Sequence, residues 1–179
     1  MQPQTLTANG VNGFGVGGPS LGRLGRLRTF PIDDLTLQDL VADYSTSTKG
    51  AFANPFTANL GGNLLRRFNV TFDYDRQTMT LVPNANFSQR DTYDRSGLFL
   101  VNAGGKMTVV DARPGTPAAA ARIARGDVIT SVNGKPTSDM TLGTVRDYFT
   151  ASAGTVLTLG IAGKTGETRT VSLTLRDYV

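Results

Sequence analysis

The chain has 179 residues, 39% of them hydrophobic and 18% charged, and a formal net charge of +4, enough apolar material to pack the core of one large or two small domains. It contains no cysteine and no histidine, which excludes zinc sites of the Cys/His type, a Ser-His-Asp triad and a thiol nucleophile. The small positive charge comes without a Lys/Arg run interleaved with aromatics, so nothing points to nucleic acid, and no apolar run reaches the length of a membrane span.

Met1 to Thr7 lacks a basic stretch leading into an apolar one, so no signal peptide is expected there. Residues 10–25 are rich in glycine. Within them Gly13-Phe14-Gly15-Val16-Gly17-Gly18 matches the G-x-G-x-x-G spacing of dinucleotide-binding turns. Such a turn needs a helix directly after it, and Pro19, Gly22 and Gly25 oppose one. A loop or a glycine-bent strand is expected instead. Arg26 to Ile32 and Leu35 to Val41 alternate polar and apolar residues about Asp33-Asp34, which predicts a hairpin. The two aspartates are neighbours in a turn, where side chains point apart, so they read as turn formers rather than as paired catalytic carboxylates.

Leu64, Leu65 and Phe68 predict one face of a short helix begun by Asn63 or the glycines before it. Val70 to Tyr74 and Thr78 to Val82 predict a second hairpin, ended by Pro83. Asn84 to Arg95 is polar and reads as the boundary between domains. Beyond it, strands are expected at residues 97–101, 107–112 and 128–132, and helices at 117–123, capped by Thr116, and at 141–151. Asn133-Gly134 is a strong turn signal. In the second helix Leu142, Val145 and Phe149 fall on one buried face. Residues 155–162 and 167–175 alternate and form a closing hairpin across Gly163-Lys164-Thr165-Gly166.

Arg113-Pro114-Gly115-Thr116-Pro117-Ala118-Ala119 resembles the "gsPAa" signature of PDZ domains, and Gly126-Asp127-Val128-Ile129 with Val132-Asn133-Gly134 resembles their "GDvI…vNG" signature. The resemblance covers residues 96–179 and is to the circularly permuted bacterial form of the domain. It implies a peptide-binding groove, in which an extended segment or a protein C-terminus is added as a strand beside the second helix. The implied contacts are the carboxylate loop and strand, Ser96, Gly97, Leu98, Phe99, Leu100 and Val101, and the helix residues Thr141, Leu142, Val145 and Phe149. Successive loop amides would form a nest for a terminal carboxylate. Phe99 stands where the family has glycine, which puts capture of a free carboxylate in question and leaves internal segments as ligands. The same apolar residues also fit plain core packing. The terminal Asp177-Tyr178-Val179 either frays or docks into a neighbour's groove.

Leu60-Gly61, Leu64-Leu65, Phe68, Val70, Phe72-Asp73-Tyr74, Met79 and Leu81, with Ala51 to Phe56 before them, resemble the closing part of a pepsin- or retropepsin-like lobe. The fold class expected is therefore mainly β with short helices (α+β): an incomplete aspartic-protease-like lobe at residues 1–88, a linker at 89–95 and a PDZ domain at 96–179. The order is that of bacterial aspartyl protease-like proteins with a C-terminal PDZ domain, and it implies the periplasm, cell envelope or exterior. Aspartic proteases need two Asp-Thr/Ser-Gly loops sharing one proton. Asp91-Thr92-Tyr93 and Asp94-Arg95-Ser96-Gly97 come nearest and neither fits, while Asp73 takes a structural strand position. No catalytic residue, metal ligand or cofactor is expected, and this chain is predicted inactive alone. A half lobe would leave residues 1–88 less ordered or self-associated. Three functions remain open: a PDZ module positioning substrate for a parent protease, an endopeptidase active only in the parent or a dimer, and a scaffold whose groove is filled by its own residues.

Overall fold

The computed structural model describes residues 5–15, 18–47 and 58–179; the Ala51 to Phe56 part of the lobe resemblance lies outside them. Among the described residues the strands fall into two main regions, and a two-stranded hairpin lies in sequence between the three-stranded first and the six-stranded second. The first is an antiparallel meander of β1 (Gly10–Gly15), β2 (Gly18–Ile32) and β3 (Leu35–Ser45). The described part of the glycine-rich stretch lies in β1 and β2, and no helix among the described residues follows it directly, so the geometry a dinucleotide needs is not formed there. Its glycines permit close approach: a Cβ at Gly10 would meet Asp111 and Arg113, and one at Gly22 would meet Asn12 and Asp43. Asp33 and Asp34 form the two-residue turn between β2 and β3, with Ile32 paired to Leu35 and Asp33 at a φ of 53°.

Helix α1 (Gly62–Leu65) leads into the hairpin of β4 (Phe68–Asp73) and β5 (Thr78–Pro83). Phe68, expected on the helix, is instead the first residue of β4, paired with Pro83. The helix stops after one turn, and Phe68 is then buried with Leu27, Leu37 and Leu40 in a small core between hairpin and meander. The apolar face of the hairpin runs past that core. Phe72, stacked on Tyr74, is 58% exposed, and its cross-strand partner Met79 is 42% exposed.

The second region is a sheet ordered β11-β10-β8-β7-β6, from β6 (Leu98–Ala103), β7 (Lys106–Ala112), β8 (Val128–Val132), β10 (Val156–Ala162) and β11 (Thr168–Thr174), with β9 (Lys135–Pro136) paired to β8. Asn133 and Gly134, both at positive φ, make the turn between β8 and β9. Alternate residues Leu98 and Leu100, Met107 and Val109, and Leu157, Leu159 and Ile161 point into one core with Ala118, Val145 and Phe149. Each such side chain contributes roughly 1.5–3 kcal/mol by leaving water.

Helix α2 (Pro117–Ala120) is shorter than its sequence predicts. Arg122 turns to a φ of 55°, its amide donates to the Ala119 carbonyl and that of Ile123 to the Ala118 carbonyl, so the chain closes in a Schellman motif. Thr116 precedes the helix but does not cap it: its hydroxyl donates to the Arg113 carbonyl at 2.6 Å. Helix α3 (Leu142–Phe149) is capped by Thr141, whose hydroxyl accepts from the Thr144 amide. No helix among the described residues is long and apolar enough to cross a membrane.

Within residues 89–95, expected as a linker, Asp91, Tyr93 and Arg95 are buried. Polar residues are buried here because each is paired. Asp91 meets Arg67 at 2.5 Å and accepts from the Val41 amide, tying β3 to the segment before β4. Arg95 donates to Asp177 and to the carbonyls of Thr150 and Ala151, satisfying the end of α3. Asp91→Ala would strand the Arg67 guanidinium inside the protein. The expected loss is about 3–5 kcal/mol in urea unfolding, against under about 1 kcal/mol for removing the exposed Arg76–Asp73 pair by Asp73→Ala.

Candidate peptide-binding groove

Among the described residues, strand β6 has one neighbour in its sheet, β7, and its other edge is open to α3. An open edge presents backbone donors and acceptors that a guest strand can pair. The glycine before β6 is required by local geometry. Gly97 has a φ of +80°, and a Cβ there would collide with Thr116. This packing seats the loop on the turn that follows β7.

The loop amides are already occupied. Asp94 Oδ1 accepts from the Ser96 amide and the Gly97 amide, both at 2.8 Å, and from the Ser96 hydroxyl at 2.6 Å. Ser96 Oγ in turn accepts from the Leu98 amide at 3.0 Å. The nest at the start of the strand thus holds a carboxylate from its own chain. Burial pushes Asp94 up to about 6, against the hydrogen bonds from Ser96 and Gly97 that lower it. The Tyr178 hydroxyl donates to the Asp94 carbonyl, and burial raises the Tyr178 hydroxyl above its ordinary range. The terminal segment is held in its own chain: Tyr178 packs edge-on against Tyr93, and Arg26 Nε reaches the Val179 oxygen at 3.4 Å.

The residues expected in the groove divide by depth. Ser96, Leu98, Leu100, Val145 and Phe149 are buried, and Val145 and Phe149 are 0% exposed; the four apolar ones belong to the core beneath β6 and α3 rather than to the surface. Phe99, Val101 and Leu142 are half-buried and Thr141 is exposed, so these can meet a ligand. The structure brings β6 and α3 together, and it adds a residue that apolar periodicity does not flag. Arg146, exposed on α3, donates from Nη2 to the Leu100 carbonyl at 2.8 Å and lies 5.8 Å over the Phe99 ring. It spans the slot between helix and strand. Its signal in the sequence is its place next to Val145 and one turn after Leu142.

At the loop end of the slot the meander borders the second region. Arg113 is 4% exposed and donates to Thr7 Oγ1, Ala8 O, Gly22 O and Asn12 Oδ1, while Asp111 accepts from the Val11 amide. Phe14 of β1 packs at 5.8 Å from Phe99. A cavity of about 160 Å³ lies in this junction, lined among others by Asp43, Asp94, Leu98, Phe99 and Arg113. Burial raises Asp43 there, while Asn12 and Arg113 pull it down.

Because the folded state holds the Asp94 proton more tightly than the unfolded chain, this group stabilises the fold at low pH. That contribution falls as pH rises from the ordinary value of 3.8 to about 6 and is gone above it. The shift corresponds to about 3 kcal/mol. Asp94→Asn, which keeps the acceptor oxygen, is expected to flatten the fall in stability over that window in a pH series of urea melts; an unchanged slope would contradict this assignment.

Residues 108–163 match the family model described as PDZ domain, a span from β7 to the end of β10 that leaves β6 outside it. No curated protein sequence matches the chain. Among solved structures, the photosystem II D1 C-terminal processing protease aligns at 26% identity and a TM-score of 0.46, covering 51% of this chain and 26% of that one. A PDZ domain protein from Parabacteroides distasonis aligns at 19% identity and a TM-score of 0.42, covering 48% and 20%. The HtrA-type protease AlgW with a decapeptide aligns at 13% identity and a TM-score of 0.45, covering 99% and 61%. The chain thus spans less than two thirds of each of these proteins. The second region of the chain contains a PDZ domain.

Proposed function

We propose that this PDZ domain binds an extended peptide by adding it as a strand to β6, between β6 and α3, and thereby positions substrate for a protease of which it is part. The observation that carries the reading is the unshared edge of β6 beside a helix, within a domain whose neighbouring strands match the PDZ family. A guest backbone completing the ladder supplies affinity, and half-buried Phe99, Val101 and Leu142 supply side-chain contacts. Because Asp94 fills the start of the loop, the ligand of this reading is an internal segment rather than a free C-terminus.

On this proposal the parent enzyme is aspartyl protease-like and works in the cell envelope. Its support is the sequence resemblance, together with the order of α1 and the β4–β5 hairpin ahead of the PDZ domain. With no Asp-Thr/Ser-Gly sequence in the chain, hydrolysis on this reading belongs to the parent or to an assembled pair of chains. The bare apolar face at Phe72, Tyr74 and Met79 is where self-association is proposed. Sedimentation should then show a concentration-dependent dimer that Phe72→Ser with Met79→Ser abolishes; a monomer at all concentrations would remove that part.

A second reading is a scaffold with an occluded groove, favoured by the Arg146 bond to the Leu100 carbonyl. Screening the full chain against a library of extended peptides decides between them. Strand addition predicts binders whose amide chemical-shift changes concentrate on Leu98–Ala103 and Leu142–Phe149. No binders, or shifts confined to the meander, would favour the scaffold.

A further inference from the structure

Arg146 holds an acceptor that strand addition requires. The Leu100 carbonyl points out of the open edge of β6, and it receives its hydrogen bond from Nη2 of Arg146 at 2.8 Å rather than from another strand. The guanidinium is also stacked over Phe99, which keeps it at the mouth of the slot. Among the described residues it has no carboxylate within the 4.0 Å of an ion pair. Arginine carries five N–H donors in a planar fork and no acceptor, and its preferred partner is a carboxylate.

We propose that Arg146 is the gate and the specificity determinant of the groove: a guest strand displaces it from the Leu100 carbonyl, and an acidic side chain on the guest, facing α3, takes the released guanidinium. This inference rests on the peptide-binding reading and names its ligand class, internal segments with an Asp or Glu at one fixed position. A neutral guest must lift the guanidinium from its carbonyl and leave it only solvent and Phe99. An acidic guest replaces that bond by a charge-assisted pair at the edge of the groove, with a carboxylate geometry that matches the fork. A terminal carboxylate gains less, because the Ser96 and Gly97 amides that would receive it are engaged by Asp94.

The test uses the full chain and a library of extended peptides capped at both ends. Binders are remade with each Asp or Glu changed to Asn or Gln, and their affinities are compared by fluorescence anisotropy for the natural protein, Arg146→Met and Arg146→Lys. Binders of the natural protein are expected to share an acidic residue at one position, and its amide replacement to weaken binding about fivefold. Arg146→Met should bind the acidic and amide forms equally, and the amide form at least as tightly as the natural protein does. Arg146→Lys should retain part of the preference, since charge remains and the fork is lost. An acid preference that persists in Arg146→Met, or binders on β6 without any acid preference, would overturn the role of Arg146 while leaving peptide binding intact. If no peptide binds the natural protein or either variant, both the gate and the peptide-binding reading fall.

Discussion

The unpaired edge of β6 is the constraint on which the second half of this molecule turns. A sheet edge exposes donors and acceptors that will pair with any strand offered, including the wrong one. Here the edge is walled by α3, whose Val145 and Phe149 are locked into the same core as Leu98 and Leu100. The distance between strand and helix is therefore fixed by packing and not by the groove's own contacts. The exposed backbone at the mouth is then quieted by side chains, Asp94 and Ser96 for the loop amides and Arg146 for the Leu100 carbonyl. The part-buried bond from Arg146 to the Leu100 carbonyl is one to a charged group and contributes about 1.5–3 kcal/mol, which a guest N–H must replace.

The loop is constrained from a second side. Arg113, directly after β7, carries a buried guanidinium whose donors reach backbone carbonyls and side chains of the meander. Its cost of burial is offset by these bonds and by the nearby carboxylate of Asp43. The result is that the start of β6, the Asp94 turn and the N-terminal strands share one polar junction, with Phe14 laid against Phe99 above it. A ligand in the slot would therefore meet the meander at one end, and the two regions of sheet are coupled at the position where a guest strand would begin or end.

Much of this architecture is legible in the sequence, and the reasons are local. Asn133-Gly134, the alternation through Leu157, Leu159 and Ile161, and the spacing of Leu142, Val145 and Phe149 each state one periodicity without a competitor. The misplacements also have local causes. Phe68 continues a helical spacing in sequence but is claimed by the Leu27–Leu37–Leu40 core as a strand residue. Residues 89–95 read as a linker because they are polar, and the burial of Asp91 and Arg95 comes from partners distant in sequence that spacing does not show. The residues expected in a groove follow from the resemblance, and burial separates Leu98, Leu100, Val145 and Phe149 from the more accessible Phe99, Val101, Leu142 and Thr141. What pattern could not supply was Arg146 and Asp94, because their importance lies in which backbone atoms they meet, and that depends on the fold rather than on spacing.

The most direct test of the account is a crystal structure of the full chain with a peptide found to bind it. A guest N–H about 2.9 Å from the Leu100 carbonyl, with Arg146 turned away from that oxygen, is the predicted result. A peptide bound elsewhere while the bond between Arg146 and Leu100 stays intact would contradict it.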